Sequence, residues 1–120
     1  MLSDDCADLY NPKTIRAAMG GLFRLNIVIL EKDSMPLSIE ALRKTGRRVY
    51  ATALKENSVD IGSISLKRGD CFVIGNEGHG LSSEVIEACD AACIIPMKKG
   101  CESLNASAAA AICIWETVKN

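Results

Sequence analysis

The chain lacks a surplus of charge of either sign: among its 120 residues 14 are basic and 15 acidic, for a net charge of -1. A free-standing nucleic-acid-binding module is usually basic. Any grip on nucleic-acid phosphates must therefore come from a local patch, a second copy of the chain or a further domain. Arg43, Lys44, Arg47 and Arg48 form one candidate patch, although the plainer reading is a solvated helix face and turn. Histidine is nearly absent, with His79 alone, and no ligand-like spacing surrounds it, so no metal is expected. Cys6, Cys71, Cys89, Cys93, Cys101 and Cys113 contain no Cys-x-x-Cys pair, and no signal-peptide pattern precedes them. They are expected to be reduced, mostly buried thiols of a cytoplasmic protein. No apolar run is long enough to span a membrane, so no membrane partner is expected. Repeats, low-complexity segments and linkers are also missing, which makes one domain over residues 1–120 the expectation, and 48% apolar content can supply its core.

What is present is an alternation of strand and helix signals. Met1 to Asn11 is acidic and irregular. Asn11-Pro12 is a helix start, with Ile15, Met19 and Leu22 at helical spacing and Gly20-Gly21 weakening the end. The apolar run Asn26 to Leu30 reads as a strand buried on both faces. Ser38 to Thr45 reads as a helix capped by Ser38, with Ala41 and Leu42 inward and Gly46 past its end. Arg48 to Leu54 is a strand, Val59 to Leu66 a short strand or irregular connection, and Cys71 to Ile74 a strand. Ser82 to Cys89 is a helix, Ala92 to Ile95 the last strand and Ala106 to Val118 the last helix. This order predicts an α/β fold with a mainly parallel sheet flanked by helices.

Two stretches stand out, each a polar loop between an apolar strand and a helix: FVIGNEGHGLS (Phe72 to Ser82) and IPMKKGCESLNASAAAAICIWE (Ile95 to Glu116). In an open α/β sheet, ligands bind beyond the carboxyl ends of the strands, where such loops sit. Three glycines between Gly75 and Gly80 permit positive φ and close approach of a ligand, and the loop amides can face it. A phosphate-binding P-loop would end in Gly-Lys-Ser/Thr; here the end is Gly80-Leu81-Ser82, and Glu77 would repel phosphate. The loop better suits a neutral or cationic ligand, or one in which Glu77 ties the loop down or orients a substrate rather than acting as a base. His79 reads as an exposed loop residue, with no nucleophile and acid arranged around it. Ser103 and Asn105 are good capping residues for the helix that follows. Leu104, Ala108, Ala111, Trp115 and Val118 form a stripe expected to face the sheet, with Ile112 and Ile114 extending the apolar surface, part of it toward a second subunit.

These two stretches resemble the second and third signature motifs of the SpoU branch of the SPOUT RNA methyltransferases, and DLYNPKTIRAAMGGLFRL (residues 8–25) resembles the segment between that family's first and second motifs. The resemblance covers nearly the whole chain. It implies an α/β domain with a C-terminal trefoil knot through which the last helix is threaded, a topology that ordinary connection rules would not propose. It implies S-adenosylmethionine as cofactor, a homodimer, and methyl transfer to a ribose 2'-hydroxyl of tRNA or rRNA. Matched position by position, Glu77, Ser103 and Asn105 are the expected catalytic residues. Thr52, Ala53, Leu54, Gly75, Asn76, Glu77, Gly78, Ile95, Met97, Leu104 and Asn105 are the expected cofactor-binding residues.

One family feature is missing. The first motif, Asn-x-Gly-x-x-x-Arg, whose arginine is the favoured base or substrate activator, occurs nowhere in the chain, and Arg16 and Arg24 match other family positions. A ribose hydroxyl is a poor nucleophile without help in losing its proton. The expectation is therefore an N-terminally incomplete methyltransferase domain with weak cofactor binding and slow transfer. The alternative is a non-catalytic knotted dimerisation or cofactor-binding module. An unrelated nucleotide-binding α/β protein is disfavoured by Glu77 and the absent P-loop lysine.

Overall fold

The computed structural model describes residues 1–101 and 103–119 and divides into two compact units, residues 1–35 and 36–120.

In the first unit, β1 (Leu2–Ser3) pairs in parallel with β2 (Ile29–Leu30). The acidic start is thus not wholly irregular: Asp4 Oδ1 accepts the Lys32 amide at 3.0 Å, and the Lys32 ammonium meets Asp5 at 3.1 Å. α1 (Pro12–Ala17) begins as read, with Pro12 in its first turn and Asn11 Oδ1 accepting the Lys13 amide at 2.9 Å. It ends sooner than the apolar spacing predicts. Met19 (φ 50°) and Gly20 (φ 69°) are left-handed, and the chain re-forms only a 3₁₀ turn, Gly21–Arg24. Met19 is therefore 92% exposed, while Leu22 is buried. The run Asn26 to Leu30 is likewise not a strand buried on both faces. Only Ile29–Leu30 is paired, and more than half of the Val28 and Ile29 surfaces is exposed.

The second unit is built on a four-stranded parallel sheet in the order β4-β6-β3-β5. α2 (Met35–Lys44) starts before Ser38, because Pro36 is tolerated in a first helical turn. Its inward residues are Ile39 and Leu42, while Ala41 is exposed. Gly46 at φ 85° ends it as expected, its amide bonded to the Arg43 carbonyl at 2.9 Å. β3 (Val49–Thr52) lies between β5 (Cys71–Val73) and β6 (Ala91–Ile94), and β4 (Val59–Asp60) pairs with the far edge of β6 before a 3₁₀ turn, Ile61–Ser63. α3 (Ser83–Ala88) is capped by Ser82, and α4 (Ala106–Val118) has the predicted bounds.

Side chains alternate across a strand, and the core divides accordingly. Val49 and Ala51 pack with Ile39, Ala88 and Cys89 on one face; Tyr50 and Cys93 pack with Ile61, Leu66 and Cys113 on the other. Covering both faces is what parallel strands require. Burial pushes the Cys89 and Cys113 thiols up to about 11 and Cys93 up to about 12. Thiols in that state are inert. The expectation of mostly buried cysteines fails at Cys6 and Cys101, which are exposed.

The candidate basic patch is largely committed to the fold. Arg43 bonds Asp90 Oδ1 at 2.9 Å and the Ala88 carbonyl at 3.0 Å, Arg47 bonds the Gly69 carbonyl at 3.0 Å, and Arg48 is paired with Asp70. Burial by itself would raise the Asp70 carboxyl, but the Arg48 guanidinium and the Lys67 amide hold it below its ordinary range. The α4 stripe is also corrected. Cys113 is buried, whereas Ala108, Ala111, Trp115 and Val118 are exposed, Trp115 by 63%. The helix is apolar nearly all round, so its sequence did not mark which side faces the sheet. Among the described residues, no helix is long and apolar enough to cross a membrane, and no His, Cys, Asp and Glu cluster could hold a metal ion.

Candidate functional site

Because β3, β5 and β6 run in parallel, the loops that leave them emerge at one end of the sheet. Together with the start of α4 they enclose a cleft of about 710 Å³. This is within the size range of small-molecule and cofactor sites.

The loop after β5 is closed by its own backbone and one side chain. The Gly80 amide donates to the Asn76 carbonyl at 2.8 Å, and Asn76 Oδ1 accepts the Gly78 amide at 2.7 Å and the His79 amide at 3.3 Å. Gly80 takes φ 65°, and a Cβ on Gly75 would lie 2.6 Å from the Gly80 carbonyl carbon. Glycine is thus needed at both ends for different reasons, conformation at Gly80 and space at Gly75. Three of the amides expected to face a ligand instead face Asn76 and are not offered to one.

Glu77 projects from this closed loop, and its Oε1 accepts the Ala106 amide at the start of α4 at 3.4 Å. A carboxylate there suits the positive end of the helix. The bond joins the two motif stretches into one site, so Glu77 does hold a loop in place, as one sequence reading allowed. Asn105 caps the same helix: its Oδ1 accepts the Ser107 amide at 2.9 Å and the Ser107 hydroxyl at 2.6 Å. The loop after β3 is shaped by Ser58, whose Oγ donates to the Ala53 carbonyl at 2.7 Å and accepts the Lys55 amide at 2.8 Å. Thr52 Oγ1 donates to the Val73 carbonyl at 3.0 Å and ties β3 to β5 just below the cleft.

Of the residues named from sequence, Thr52, Ala53, Leu54, Gly75, Asn76, Glu77, Ile95, Met97, Ser103 and Leu104 line the cleft. Gly78 and Asn105 are not in its lining; they act on the loop and on the helix start that form the wall. Ser103, like Glu77, is exposed, so both can meet a large substrate. His79 is exposed, as read, but also lines the cleft. Sequence reading missed Lys55, Leu81, Ile86, Cys93, Lys98, Lys99, Cys101 and Ala109 in the lining. Position just past a strand could have flagged Lys55, Lys98 and Lys99. Nothing local distinguishes Ile86, Cys93 or Ala109 from other core residues.

A model of the SpoU rRNA Methylase family matches residues 1–115. The 23S rRNA (guanosine(2553)-2'-O)-methyltransferase RlmP of Bacillus subtilis is 33% identical over 115 residues, which is 96% of this chain and 45% of that protein. The tRNA (guanosine(18)-2'-O)-methyltransferase of Thermus thermophilus is 37% identical over 62% of this chain and 39% of its own length. The crystal structure of the SpoU methyltransferase AviRb from Streptomyces viridochromogenes, in complex with the cofactor AdoMet, superposes with a TM-score of 0.82 at 30% identity, covering 98% of this chain and 47% of that one. An AdoMet-bound rRNA methyltransferase from Sinorhizobium meliloti gives a TM-score of 0.83 at 31% identity, over 96% and 43%. The chain thus spans less than half the length of these relatives.

Proposed function

The chain belongs to the SpoU rRNA methylase family, and from that premise we propose that its cleft binds S-adenosylmethionine and serves methyl transfer to a ribose 2'-hydroxyl of tRNA or rRNA. The observation that carries this reading is the Glu77–Ala106 bond, which unites the two motif stretches around one cleft. The lining fits such a cofactor. Ile95, Met97 and Leu104 offer apolar surface to an adenosine and a methionine chain, and Glu77, the lining's carboxylate among the described residues, can face a sulfonium. When bound, the cofactor supplies an electrophilic methyl group and ends as S-adenosylhomocysteine.

Asn76, Gly75 and Gly80 hold the wall of the pocket, and Asn105 sets the start of α4. Glu77 and Ser103, exposed at the cleft, are the groups available to orient the ribose and to help its hydroxyl lose a proton as the oxygen–carbon bond forms. General-base assistance of this kind contributes on the order of 10²–10⁴-fold. None of the 120 residues forms the Asn-x-Gly-x-x-x-Arg pattern, so transfer by this stretch alone is proposed to be slow.

The partner side of the reading is a cytoplasmic homodimer built on α4. Ala108, Ala111, Ile114, Trp115 and Val118 leave an apolar surface open there, with Ile114 and Trp115 each 63% exposed. Threading of α4 through a trefoil knot, which the family resemblance implies, belongs to the same proposal.

Calorimetric titration of S-adenosylmethionine and S-adenosylhomocysteine into the chain, with Asn105→Ala beside it, tests the reading. Binding that the substitution weakens supports the pocket. A well-folded chain that binds neither compound removes the cofactor assignment. Sedimentation tests the dimer, with Trp115→Glu expected to shift it toward monomer.

A further inference from the structure

The chain as a whole is nearly neutral, but the mouth of the cleft is not. Lys55 comes from the loop after β3, and Lys98 and Lys99 come from the loop after β6. All three line the cleft, all are exposed, and the carboxylate opposing them among the described lining residues is Glu77. That leaves a local excess of two positive charges in a chain whose net charge is -1. Elsewhere in the same unit Arg43, Arg48 and Lys119 are engaged by Asp90, Asp70 and Glu116. Among the described residues, none of the three mouth lysines has such a partner. Exposed lysines over a low-dielectric floor concentrate the field outward, toward a polyanion rather than toward the pocket's depth. Lysine also meets phosphate as a point charge and needs no fixed geometry.

Resting on the methyltransferase reading, we propose that Lys55, from the loop after β3, and Lys98 and Lys99, from the loop after the neighbouring strand β6, hold the backbone phosphates that flank the target nucleotide of the RNA. The nucleotide's ribose is thereby held at the cleft that Glu77 and Ser103 also line. The lysines act as positioning residues. They carry no sequence preference of their own, because phosphate contacts fix register without reading bases.

The test is a salt titration of binding to a labelled single-stranded oligouridylate, with S-adenosylhomocysteine present, followed by fluorescence anisotropy. Each phosphate contact to a single strand contributes about 0.7 to the slope of log K against log salt. The triple variant Lys55→Gln, Lys98→Gln, Lys99→Gln should flatten that slope by about 2, with calorimetric affinity for S-adenosylhomocysteine unchanged. A charge-matched variant at positions that do not line the cleft, Lys44→Gln, Lys67→Gln, Arg68→Gln, should keep the wild-type slope. An equal flattening by both variants means that total charge, not the cleft mouth, sets the binding, and overturns the proposal. So does an unchanged slope with weaker S-adenosylhomocysteine binding, which would place the lysines on the cofactor's carboxylate. If the wild-type chain binds S-adenosylhomocysteine but not the RNA, this proposal alone fails; if it binds neither, the methyltransferase reading fails and this one with it.

Discussion

The loops that leave β5 and β6 flank the same cleft but are held in opposite ways. The loop after β5 spends its polar groups on itself: Asn76 takes up the amides of Gly78, His79 and Gly80, and Gly75 sits against the Gly80 backbone with no room for a Cβ. The loop after β6 has among its described residues one backbone turn, the Cys101 amide on the Lys98 carbonyl at 3.2 Å, and then the Asn105 cap. Both loops present exposed side chains, Glu77 and His79 on one and Met97, Lys98, Lys99, Cys101 and Ser103 on the other, but the first is the more heavily tied down by its own hydrogen bonds. A closed wall lowers the ordering cost of binding, and an open one leaves groups free to meet a macromolecule.

The hardest blow to this contrast is Gly75→Ala. Its Cβ would stand 2.6 Å from the Gly80 carbonyl carbon and 2.9 Å from Leu81 N, both backbone atoms that cannot turn aside. A loss of about 2–3 kcal/mol in urea unfolding is expected, as for an overpacked core, together with loss of cofactor binding in calorimetry.

A reference outside both loops is Asp70→Asn, which breaks the pairing with Arg48 while leaving the cleft intact. The Arg48 side chain is 37% exposed, so solvent screening limits the loss to about 1–2 kcal/mol. The Asp70 carboxyl titrates below its ordinary 3.8 in the folded chain. Its contribution is therefore fully present above that pH and disappears as the pH falls through the folded value. Unfolding curves of the variant and the wild type should differ at neutral pH and converge in acid; a difference that persists at low pH would refute the ion pair as its source.

Asn76→Ala and Asn105→Ala compare the two loops directly. The first removes two hydrogen bonds and leaves their exposed amides to water, and should cost about 1–2 kcal/mol. The second removes one helix cap and should cost about 1 kcal/mol. Chemical denaturation of both variants ranks them, and a larger loss at Asn105 would reverse the contrast.

The smallest effect leaves stability untouched. Cys101, exposed in the open loop, should be alkylated by iodoacetamide in the native chain, and S-adenosylhomocysteine should slow the reaction. Cys89, Cys93 and Cys113, with thiols near 11, 12 and 11, should react only on unfolding. Mass spectrometry of the labelled peptides reads each site separately.

Much of the molecule was legible from local chemistry. The starts of α1 and α3 follow from Asn11-Pro12 and Ser82, the span of α4 from its cap and the apolar run Ala108 to Trp115, and the parallel sheet from strands alternating with helices. Each depends on residues adjacent in the chain, whose hydrogen bonds and backbone preferences are satisfied wherever the segment lies. Tertiary structure alone decided the rest. The inward side of α4 passed to Cys113 rather than the Trp115 stripe, because the helix is apolar nearly all round and only packing against Tyr50, Ile61 and Cys93 breaks the tie. The run ending at Leu30 lost most of its strand because pairing requires a partner, and Leu2–Ser3 offers only two residues. The reach of Glu77 to Ala106 spans 29 positions and exists because parallel strands bring both loops to one end of the sheet. No local pattern encodes that distance, because closing it requires the rest of the unit to fold first.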